Sequence, residues 1–326
     1  MINEHFKTLK IGLIGIGEQM RDNLIPVLNL LENVEIVAMC DLKRTNLVPQ
    51  SINFYTDYYQ MLEIEKLDIV IVASYPEIHE KVLEFCILKN INVFVEKPPT
   101  YTLQKLQELT NLFEKNSKKP IIGFGMNFNY AKSIQKIDQF ILQNKKEVGE
   151  IEHIRIAHLA SKPNEYTFWK MTNLLDCFLL SQAIHPLALA NKYINKEVKV
   201  RDTSYLKDNS IYYSLDLDVA NDLKIKVFAT NNSPYFSWDF TLITSNKFYF
   251  HIDQNWTLKI KAPANFKNLS NEKIEINFLE SPIKCGHENP GYYDELATFV
   301  ECVRNKTEFR EDLYFMENVY KLMYDR

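Results

Sequence analysis

The sequence predicts an α/β protein built from two domains: an N-terminal doubly wound parallel sheet, and a C-terminal α/β domain with an open, mostly antiparallel sheet. Apolar runs alternate with helical patterns through about the first 120 residues, which is typical of parallel strands joined by crossover helices. From about Gly149 onwards apolar residues follow every second position, which indicates strands with one covered face. A chain of 326 residues also exceeds one comfortable core. We therefore predict domains at 1–122 and 123–326, with the C-terminal helix packing back toward the first domain.

Short apolar runs define the strands of the first domain, and amphipathic stretches separate them. The run 67–73 is apolar almost throughout, as expected for a strand buried on both faces of a parallel sheet. The predicted strands are 10–14, 34–40, 51–55, 67–73, 92–95 and 120–124, and the clearest helices are 57–65, 77–89 and 103–115.

Period-two alternation defines the strands of the second domain. They are 151–157, 210–219, 223–229, 236–243, 248–252, 257–261 and 273–278, with helices at 174–193 and 292–323. We expect helices on one face of this sheet only. Because an apolar sheet face rarely stays exposed to water, we expect the other face to join copies of the chain in a homodimer or homotetramer.

Composition excludes several classes of protein. The hydrophobic share of 46% and the charged share of 25% are those of a globular protein, and a net charge of −4 gives no reason to expect nucleic acid or an anionic membrane as partner. No run approaches 18 apolar residues and no leader precedes the first strand, so a cytoplasmic location is predicted. The five cysteines are scattered and suit idle thiols in a reducing compartment, and no ligand spacing predicts a metal.

A glycine turn follows the first strand. Gly15 and Gly17 stand between that strand and a helix, and the next strand ends at Asp41. Glycines let main chain approach a pyrophosphate, the helix start at Glu18 and Gln19 offers N–H groups, and an acid binds ribose hydroxyls. This order predicts a Rossmann dinucleotide site, although Met20 replaces the usual third glycine. An ordinary strand–turn–helix without ligand is the alternative.

The choice between NAD and NADP depends on three neighbouring side chains. Asp41 favours the free 2′-hydroxyl of NAD and repels a 2′-phosphate. Arg44 and Lys43 could instead bind that phosphate. NAD is the preferred prediction, and NADP stays open.

Lys97 and His185 are the candidate proton-transfer residues. Lys97 follows the fifth strand, at the sheet edge where ligands bind, and precedes a proline, which holds it extended. His185 lies on an otherwise apolar helix and has a side chain that titrates near neutral pH. A surface lysine and a core histidine are the alternatives.

Several motifs together resemble the glucose-fructose oxidoreductase/inositol dehydrogenase/rhizopine catabolism (Gfo/Idh/MocA) family. The matching segments, in order along essentially the whole chain, are Gly15-Ile16-Gly17, Asp41, Glu96-Lys97-Pro98, Ile184-His185-Pro186 and Gly291-Tyr292-Tyr293-Asp294-Glu295-Leu296. The resemblance implies a Rossmann domain followed by an open-sheet domain. It also implies NAD(P)-dependent oxidation or reduction of sugars, cyclitols or nucleotide sugars.

The resemblance assigns roles to further residues. It implies that Lys97 bridges nicotinamide and substrate beside Glu96, and that His185 exchanges a proton with the substrate hydroxyl. The cofactor contacts that it implies, in addition to the glycine turn, are Ser74, Tyr75, His79 and Asn127.

The chain departs from the family pattern around the histidine. Ser181 stands where the family usually has an aspartate, Ala188 where it often has a second acid, and an expected arginine near Asn127 is missing. Because a carboxylate normally orients such a histidine, reduction of a C=O or C=N bond is an alternative, as in a thiazolinyl imine reductase, with Tyr130 as a further proton donor. A dinucleotide-binding protein without turnover is another.

Substrate contacts are predicted around the same helix and in the segment before it. They are Lys97, Tyr166, Trp169, Ser181, Gln182 and His185. The aromatic residues among them could stack on a sugar face or simply fill the core.

Overall fold

The computed structural model describes residues 7–46, 48–164, 168–220, 222–254, 256–263, 266, 275–278 (main chain only) and 287–324. The chain divides into two compact units. Unit 1 comprises Met1–Met126 and Tyr292–Glu317, and unit 2 comprises Asn127–Gly291 and Asn318–Arg326. Unit 1 thus extends four residues past the predicted boundary at 122, and it includes most of the C-terminal helical region that the prediction gave to the second domain.

The strands, in chain order, are β1 (Leu9–Ile14), β2 (Val34–Cys40), β3 (Asn53–Tyr55), β4 (Ile69–Val72), β5 (Asn92–Val95), β6 (Ile122–Phe124), β7 (Ile151–Leu159), β8 (Val198–Asp202), β9 (Tyr205–Lys207), β10 (Ser210–Val219), β11 (Leu223–Thr230), β12 (Ser237–Thr244), β13 (Tyr249–Ile252), β14 (Leu258–Lys261) and β15 (Glu275–Phe278).

The helices, in chain order, are α1 (Ile25–Leu28), α2 (Tyr58–Ile64), α3 (Pro76–Lys89), α4 (Leu103–Lys115), α5 (Lys132–Gln143), α6 (Lys145–Val148), α7 (Leu174–Phe178), α8 (Ile184–Asn191), α9 (Tyr292–Asn305) and α10 (Leu313–Tyr324). A π-helical turn, Met20–Leu24, precedes α1, and a second one, Leu179–Ala183, joins α7 to α8. A 3₁₀ turn, Asn127–Tyr130, precedes α5.

The sheet of unit 1 is parallel and has the strand order β3-β2-β1-β4-β5-β6. This is the strand order of a dinucleotide-binding doubly wound sheet. The chain adds strands outward on one side of β1 and then, from β4, on the other side. All four residues of β4 are fully buried, as their unbroken apolar run predicts. The predicted α/β class and Rossmann sheet are confirmed.

Aromatic side chains attach α9 to the sheet of unit 1. Phe94 of β5 contacts Phe299 of α9 edge to face, with ring centroids 5.3 Å apart, and Phe309 lies 5.4 Å from Phe299. All three rings are buried. A Cβ on Gly123 of β6 would lie 2.6 Å from the Phe299 ring, so this glycine is needed for the packing. These contacts explain why Tyr292–Glu317 belongs to unit 1.

The sheet of unit 2 has the order β15-β14-β13-β12-β7-β11-β10-β8, with β9 paired to β10. Most neighbours are antiparallel, as predicted, but β7 and β11 run parallel. The buried face alternates regularly along β10, where Ile211, Tyr213 and Leu215 point inward. Helix α8 packs against β7 and β11.

The opposite face of this sheet carries charged pairs rather than the apolar surface that we expected. Arg155 of β7 pairs with Asp239 of β12 at 2.9 Å, and Lys226 of β11 lies 3.5 Å from Asp216 of β10. Phe228 is a partly exposed apolar exception on β11. The sequence reasoning was wrong here because the alternation buries one apolar face and leaves the polar positions on the other.

Several helices differ from their predicted extents. The helix predicted at 292–323 is interrupted between Asn305 and Leu313 and forms α9 and α10. The helix predicted at 174–193 is divided by the π-helical turn Leu179–Ala183. Helices α5 and α6 and strands β8 and β9 were not predicted.

The helical stretch Leu174–Asn191 has the length and mean hydropathy of a membrane-crossing helix, although polar residues such as Asp176 and Gln182 interrupt it, so it is not an unbroken apolar run of 18. However, 72% of it is buried within the structure. Core helices of globular proteins have the same character, and α8 packs on the sheet of unit 2.

Candidate active site

The two glycines of the turn after β1 differ in the space around them: Gly15 is sterically confined, and Gly17 borders open space. Gly15 has φ +81°, its N–H donates to the Cys40 carbonyl at 2.9 Å, and a Cβ on it would lie 2.3 Å from the Ala73 carbonyl oxygen. Only glycine fits there without strain. A Cβ on Gly17 would meet nothing within 4 Å, and the Gly17 carbonyl accepts the N–H of Arg21. The turn therefore presents open space at the start of a helix.

Asp41 is hydrogen-bonded directly to the glycine turn. Its Oδ2 accepts the N–H of Ile16 at 2.6 Å, and its Oδ1 accepts the N–H of Leu42 at 2.6 Å. A carboxylate has about four acceptor positions, so these two bonds leave capacity for ribose hydroxyls. The sequence spacing between the glycines and Asp41 thus corresponds to a hydrogen bond between the turn and the Asp41 carboxylate.

The Arg44 side chain is exposed, but its guanidinium has two contacts within unit 1. It donates to the Pro49 carbonyl at 2.8 Å and lies 5.6 Å from the centre of the Phe54 ring. Lys43 is exposed. A 2′-phosphate contact by Arg44 stays a prediction.

A polar chain joins the helix start to the end of β5. The Asn23 amide donates to Oε1 of Gln19 at 2.8 Å, and the Gln19 amide donates to Oε1 of Glu96 at 2.7 Å. Met20, at the third-glycine position, is fully buried, whereas Glu18 is exposed. Of the three residues predicted to open the helix, Gln19 therefore has the contact that links the turn to the Glu96-Lys97 segment.

Lys97 lies directly after β5 at the carboxyl edge of the parallel sheet, as predicted. Its peptide bond to Pro98 is cis, and its main-chain N–H donates to Oε2 of Glu96 at 3.3 Å. Burial lowers the pKa of the Lys97 ammonium, and the neighbouring Glu96 acts in the opposite direction. Such an amine gives up a proton more readily than an ordinary lysine.

His79 links the turn after β4 to the proline beside Lys97. Its Nε2 accepts the N–H of Ser74 at 2.9 Å, and its Nδ1 lies 2.8 Å from the Pro98 carbonyl oxygen, so Nδ1 carries the proton. The ring is fully buried, and burial lowers its pKa to about 4. Both ring nitrogens bind main chain, so the contribution of His79 to a cofactor site is to position Ser74 and Pro98. Tyr75 is 54% exposed at the start of α3.

Unit 1 contains two neighbouring buried carboxyl groups that the sequence reasoning did not identify as site residues. Glu295 of α9 accepts the N–H of Met126 in a short hydrogen bond, and Glu311 accepts the Nε–H of Arg310 at 2.6 Å. Both glutamates are completely buried. Glutamates are rarely fully buried, so the sequence pattern gives little signal for either residue.

In unit 2, His185 lies in an aromatic cluster. Its ring stacks on Phe128, with centroids 4.9 Å apart and planes 28° apart, and it is nearly parallel to the His158 ring at 6.4 Å. Nε2 of His158 lies 3.1 Å from Oε1 of Gln182. His158 and Gln182 thus join the predicted site residue, and the signal for His158 is a polar residue on the inward face of β7.

The remaining predicted residues of unit 2 have local partners of their own. Ser181 is buried on the π-helical turn, and Tyr130 is buried in the 3₁₀ turn before α5. The Asn127 amide donates to the Pro290 carbonyl at 2.8 Å. Trp169 has φ +56° and its ring lies 5.8 Å from that of Phe168. Tyr166 lies outside the described residues.

No three His, Cys, Asp or Glu side chains within the described ranges form a group that could hold a metal ion. The described cysteines, Cys40, Cys86, Cys177 and Cys302, are free thiols.

Three comparisons relate this geometry to known proteins. Residues 9–124 match the Gfo/Idh/MocA family, described as an oxidoreductase family with an NAD-binding Rossmann fold. Inositol 2-dehydrogenase of Salmonella paratyphi B is 25% identical over 216 residues, which cover 64% of this chain and 61% of the relative. Myo-inositol 2-dehydrogenase of Thermotoga maritima is 23% identical, covering 65% and 63%. The matched region therefore spans about three fifths of these curated relatives.

A solved structure extends the similarity to the whole chain. The dehydrogenase from Chromobacterium violaceum is 28% identical, with a TM-score of 0.91, over 98% of this chain and 94% of that one. The resemblance seen in the sequence motifs is confirmed: residues 9–124 match the model of the Gfo/Idh/MocA oxidoreductase family and fold as a Rossmann-type parallel sheet.

Proposed function

We propose that the protein is an NAD(P)-dependent oxidoreductase that transfers a hydride between C4 of the nicotinamide and a secondary carbon of a sugar, cyclitol or nucleotide sugar. The hydrogen bond from Gln19 to Glu96 carries this proposal. It connects the helix start that follows the glycine turn with the residue next to Lys97. A dinucleotide turn and a proton-transfer lysine therefore share one hydrogen-bonded edge of the sheet.

The residues of unit 1 fit a dinucleotide. Gly17 leaves space for a pyrophosphate above a helix start, and Asp41 offers acceptors for ribose hydroxyls while holding the turn. The bound dinucleotide supplies the hydride chemistry. We propose NAD as the preferred cofactor because Asp41 opposes a 2′-phosphate, with NADP as the alternative.

Lys97 and His185 are the proposed proton-transfer residues. Burial makes the Lys97 ammonium a better proton donor than a lysine in water, which suits protonation of a substrate oxygen. Stacking on Phe128 orients the His185 imidazole, whose two ring nitrogens can accept or donate a proton. Cyclitols and sugars are the proposed substrates because the curated relatives are named inositol dehydrogenases.

Reduction of a C=O or C=N bond is the second candidate function. Ser181 replaces the expected aspartate, and Oε1 of Gln182, one residue further on, is bonded to His158. Oxidation of an alcohol needs a base that becomes a stabilised cation, whereas reduction needs only a proton donor. The direction of the reaction distinguishes the two candidates.

We also propose that the chain self-associates in the cytoplasm as a homodimer or homotetramer. The open face of the unit 2 sheet, with Arg155, Asp239, Lys226 and Asp216, is the proposed contact. Its charges predict that the assembly weakens as salt is raised, which sedimentation at two ionic strengths would measure.

Turnover of a polyol panel with NAD⁺, and of the corresponding ketones with NADH, tests the activity. Substituting Lys97→Ala or His185→Ala is expected to lower kcat by about 100-fold or more, since each removes a proton-transfer group. The affinity for NADH should change by no more than about threefold, because neither substitution changes the glycine turn. Lys89→Ala, at an exposed lysine near the end of α3, is the matched control and should leave kcat unchanged.

Three outcomes separate the candidates. Oxidation of a polyol that depends on Lys97 and His185 supports the dehydrogenase. Turnover only in the direction of ketone or imine reduction supports the reductase. Tight NADH binding with no turnover on any substrate would instead identify a dinucleotide-binding protein that has lost catalysis.

A further inference from the structure

Hydrogen bonds to other groups of unit 1 fix the main chain at the end of β6 and just after it. The N–H of Phe124 donates to the Glu311 carbonyl at 2.9 Å, and the N–H of Gly125 donates to the Val95 carbonyl at 3.0 Å. The next N–H, that of Met126, donates to the Glu295 carboxyl group. Three successive main-chain N–H groups are therefore fixed, and the last of them depends on one buried side chain.

This segment also confines Glu96. A Cβ on Gly125 would lie 3.1 Å from the Glu96 carboxyl carbon and from one of its oxygens. Gly125 therefore packs close to the Glu96 carboxyl group, and the next residue, Met126, is hydrogen-bonded to the Glu295 carboxyl group. A shift of Met126 would move the surface against which Glu96 packs.

Glu96 and Glu295 cannot both be charged at low cost in this buried place. Burial raises the pKa of Glu96, but two N–H donors favour its carboxylate form, the Gln19 amide at 2.7 Å and the Lys97 main chain at 3.3 Å. The positive charge of Lys97 also lowers the pKa of Glu96. Glu295 accepts one N–H donor, from Met126. The proton of the pair therefore belongs on Glu295.

The other groups near Glu295 support this assignment. Burial raises the pKa of Glu295 well above its ordinary value, and the negative charges of Glu96 and Glu311 raise it further. Arg310 acts in the opposite direction, but its Nε–H is bonded to Glu311. Tyr292, one turn earlier on α9, has its own pKa raised by burial and adds no positive charge.

We propose that Glu295 is a positioning residue of the dinucleotide site: as a neutral acid it holds Met126 and leaves Glu96 as the charged partner of Gln19 and Lys97. This inference rests on the proposed function, since it assigns Glu295 to the cofactor site of that reaction. Glu295 itself contacts neither cofactor nor substrate. It acts through Glu96, whose bond to Gln19 sets the helix start beside the glycine turn.

The proposal predicts different effects for two substitutions of Glu295. Glu295→Gln keeps an acceptor for the Met126 N–H and imitates the neutral acid, so it should bind NADH at pH 7 within about twofold of wild type. Glu295→Leu removes the acceptor, and the buried N–H that it leaves is expected to weaken NADH binding by about tenfold. Glu301→Gln, at an exposed glutamate of the same helix, is the matched control and should change nothing.

The dependence on pH distinguishes a proton-holding role from a merely structural one. As the pH rises through the raised pKa of Glu295, its deprotonation places a second negative charge beside Glu96, so the NADH dissociation constant of wild type should rise. The dissociation constant of Glu295→Gln should not follow it, because glutamine cannot ionise. The ratio of the two constants should therefore increase with pH.

Fluorescence titration of the full-length variants with NADH at pH 6, 7, 8 and 9 measures both effects. A Glu295→Gln variant as weak as Glu295→Leu at pH 7 overturns the proposal, as does a ratio of the wild-type constant to the Glu295→Gln constant that falls as the pH rises. Circular dichroism at each pH keeps any unfolded variant out of the comparison, and Glu295→Gln against wild type remains decisive if the leucine variant does not fold. Absence of NADH binding by wild type at every pH would instead refute the proposed function.

Discussion

The two glycines of the turn after β1 should respond in opposite ways to the same substitution. Gly15→Ala places a Cβ 2.3 Å from the Ala73 carbonyl oxygen at a residue with φ +81°. Gly17→Ala places one in open space. The first glycine is therefore required by the fold, and the second is available to a ligand.

The cost of Gly15→Ala follows from two terms. A left-handed conformation costs a non-glycine residue about 1–2 kcal/mol. Forcing main chain away from the new Cβ costs about 1–3 kcal/mol, the range for overpacked sites. Together they predict a loss of about 3 kcal/mol in the free energy of unfolding, and a melting temperature lower by roughly 6–12 °C for a domain of this size.

Gly17→Ala should change the free energy of unfolding by less than about 1 kcal/mol. Its effect is expected on binding, since the added methyl group projects where a pyrophosphate would approach the helix start. We expect the dissociation constant for NADH to rise by about tenfold or more, which corresponds to about 1.4 kcal/mol.

Differential scanning calorimetry of both variants and fluorescence titration of Gly17→Ala with NADH make the comparison. A Gly15→Ala protein as stable as wild type would refute the reasoning from the turn geometry. A Gly17→Ala protein that binds NADH as wild type does would show that the pyrophosphate does not lie over this glycine.

Three further perturbations follow from the same unit. His79→Gln should remove part of the acid sensitivity of folding. Because the pKa of His79 is lowered to about 4 in the folded protein, the unfolded chain binds the proton first, and wild type loses stability as the pH falls from 6.5 toward about 4, by about 1.4 kcal/mol per pH unit at most. Denaturant titration at pH 5 and pH 7 measures the difference. Gly123→Ala should lower the free energy of unfolding by about 1–3 kcal/mol because its Cβ would overlap the buried Phe299 ring, and a thermal scan with Gly17→Ala as control would detect this; equal melting temperatures contradict it. Asp41→Asn should weaken binding of NADH and narrow its advantage over NADPH, since the negative charge facing a 2′-phosphate is removed; titration with both cofactors that gives an unchanged ratio contradicts the role of Asp41.

Local pattern was sufficient for the parallel sheet and for the glycine turn. The run at β4 and the order of Gly15, Gly17 and Asp41 each carry their own signal, and the hydrogen bond from Ile16 to Asp41 shows why the spacing is informative. The position of Lys97 after β5 was predictable for the same reason, because the end of a buried strand is visible in the sequence.

Long-range packing determines what the pattern did not reveal. Glu295 is far from Glu96 in sequence, and only the packing of α9 against the sheet buries it near that residue. Glu311, in the segment between α9 and α10, is buried near Glu295 in turn. The stacking of His185 on Phe128 is likewise a contact between distant segments. The open sheet face was misjudged because period-two alternation gives which positions are buried, and the polar positions left over form cross-strand ion pairs such as Arg155 with Asp239.

The central claim is that unit 1 is a working dinucleotide site. Parallel titration of the wild-type protein with NADH and with NADPH, followed by the fluorescence of the reduced nicotinamide, tests it most directly. Saturable binding of NADH, with a lower dissociation constant than that of NADPH, is the expected result. Absence of saturable binding of either dinucleotide would contradict it.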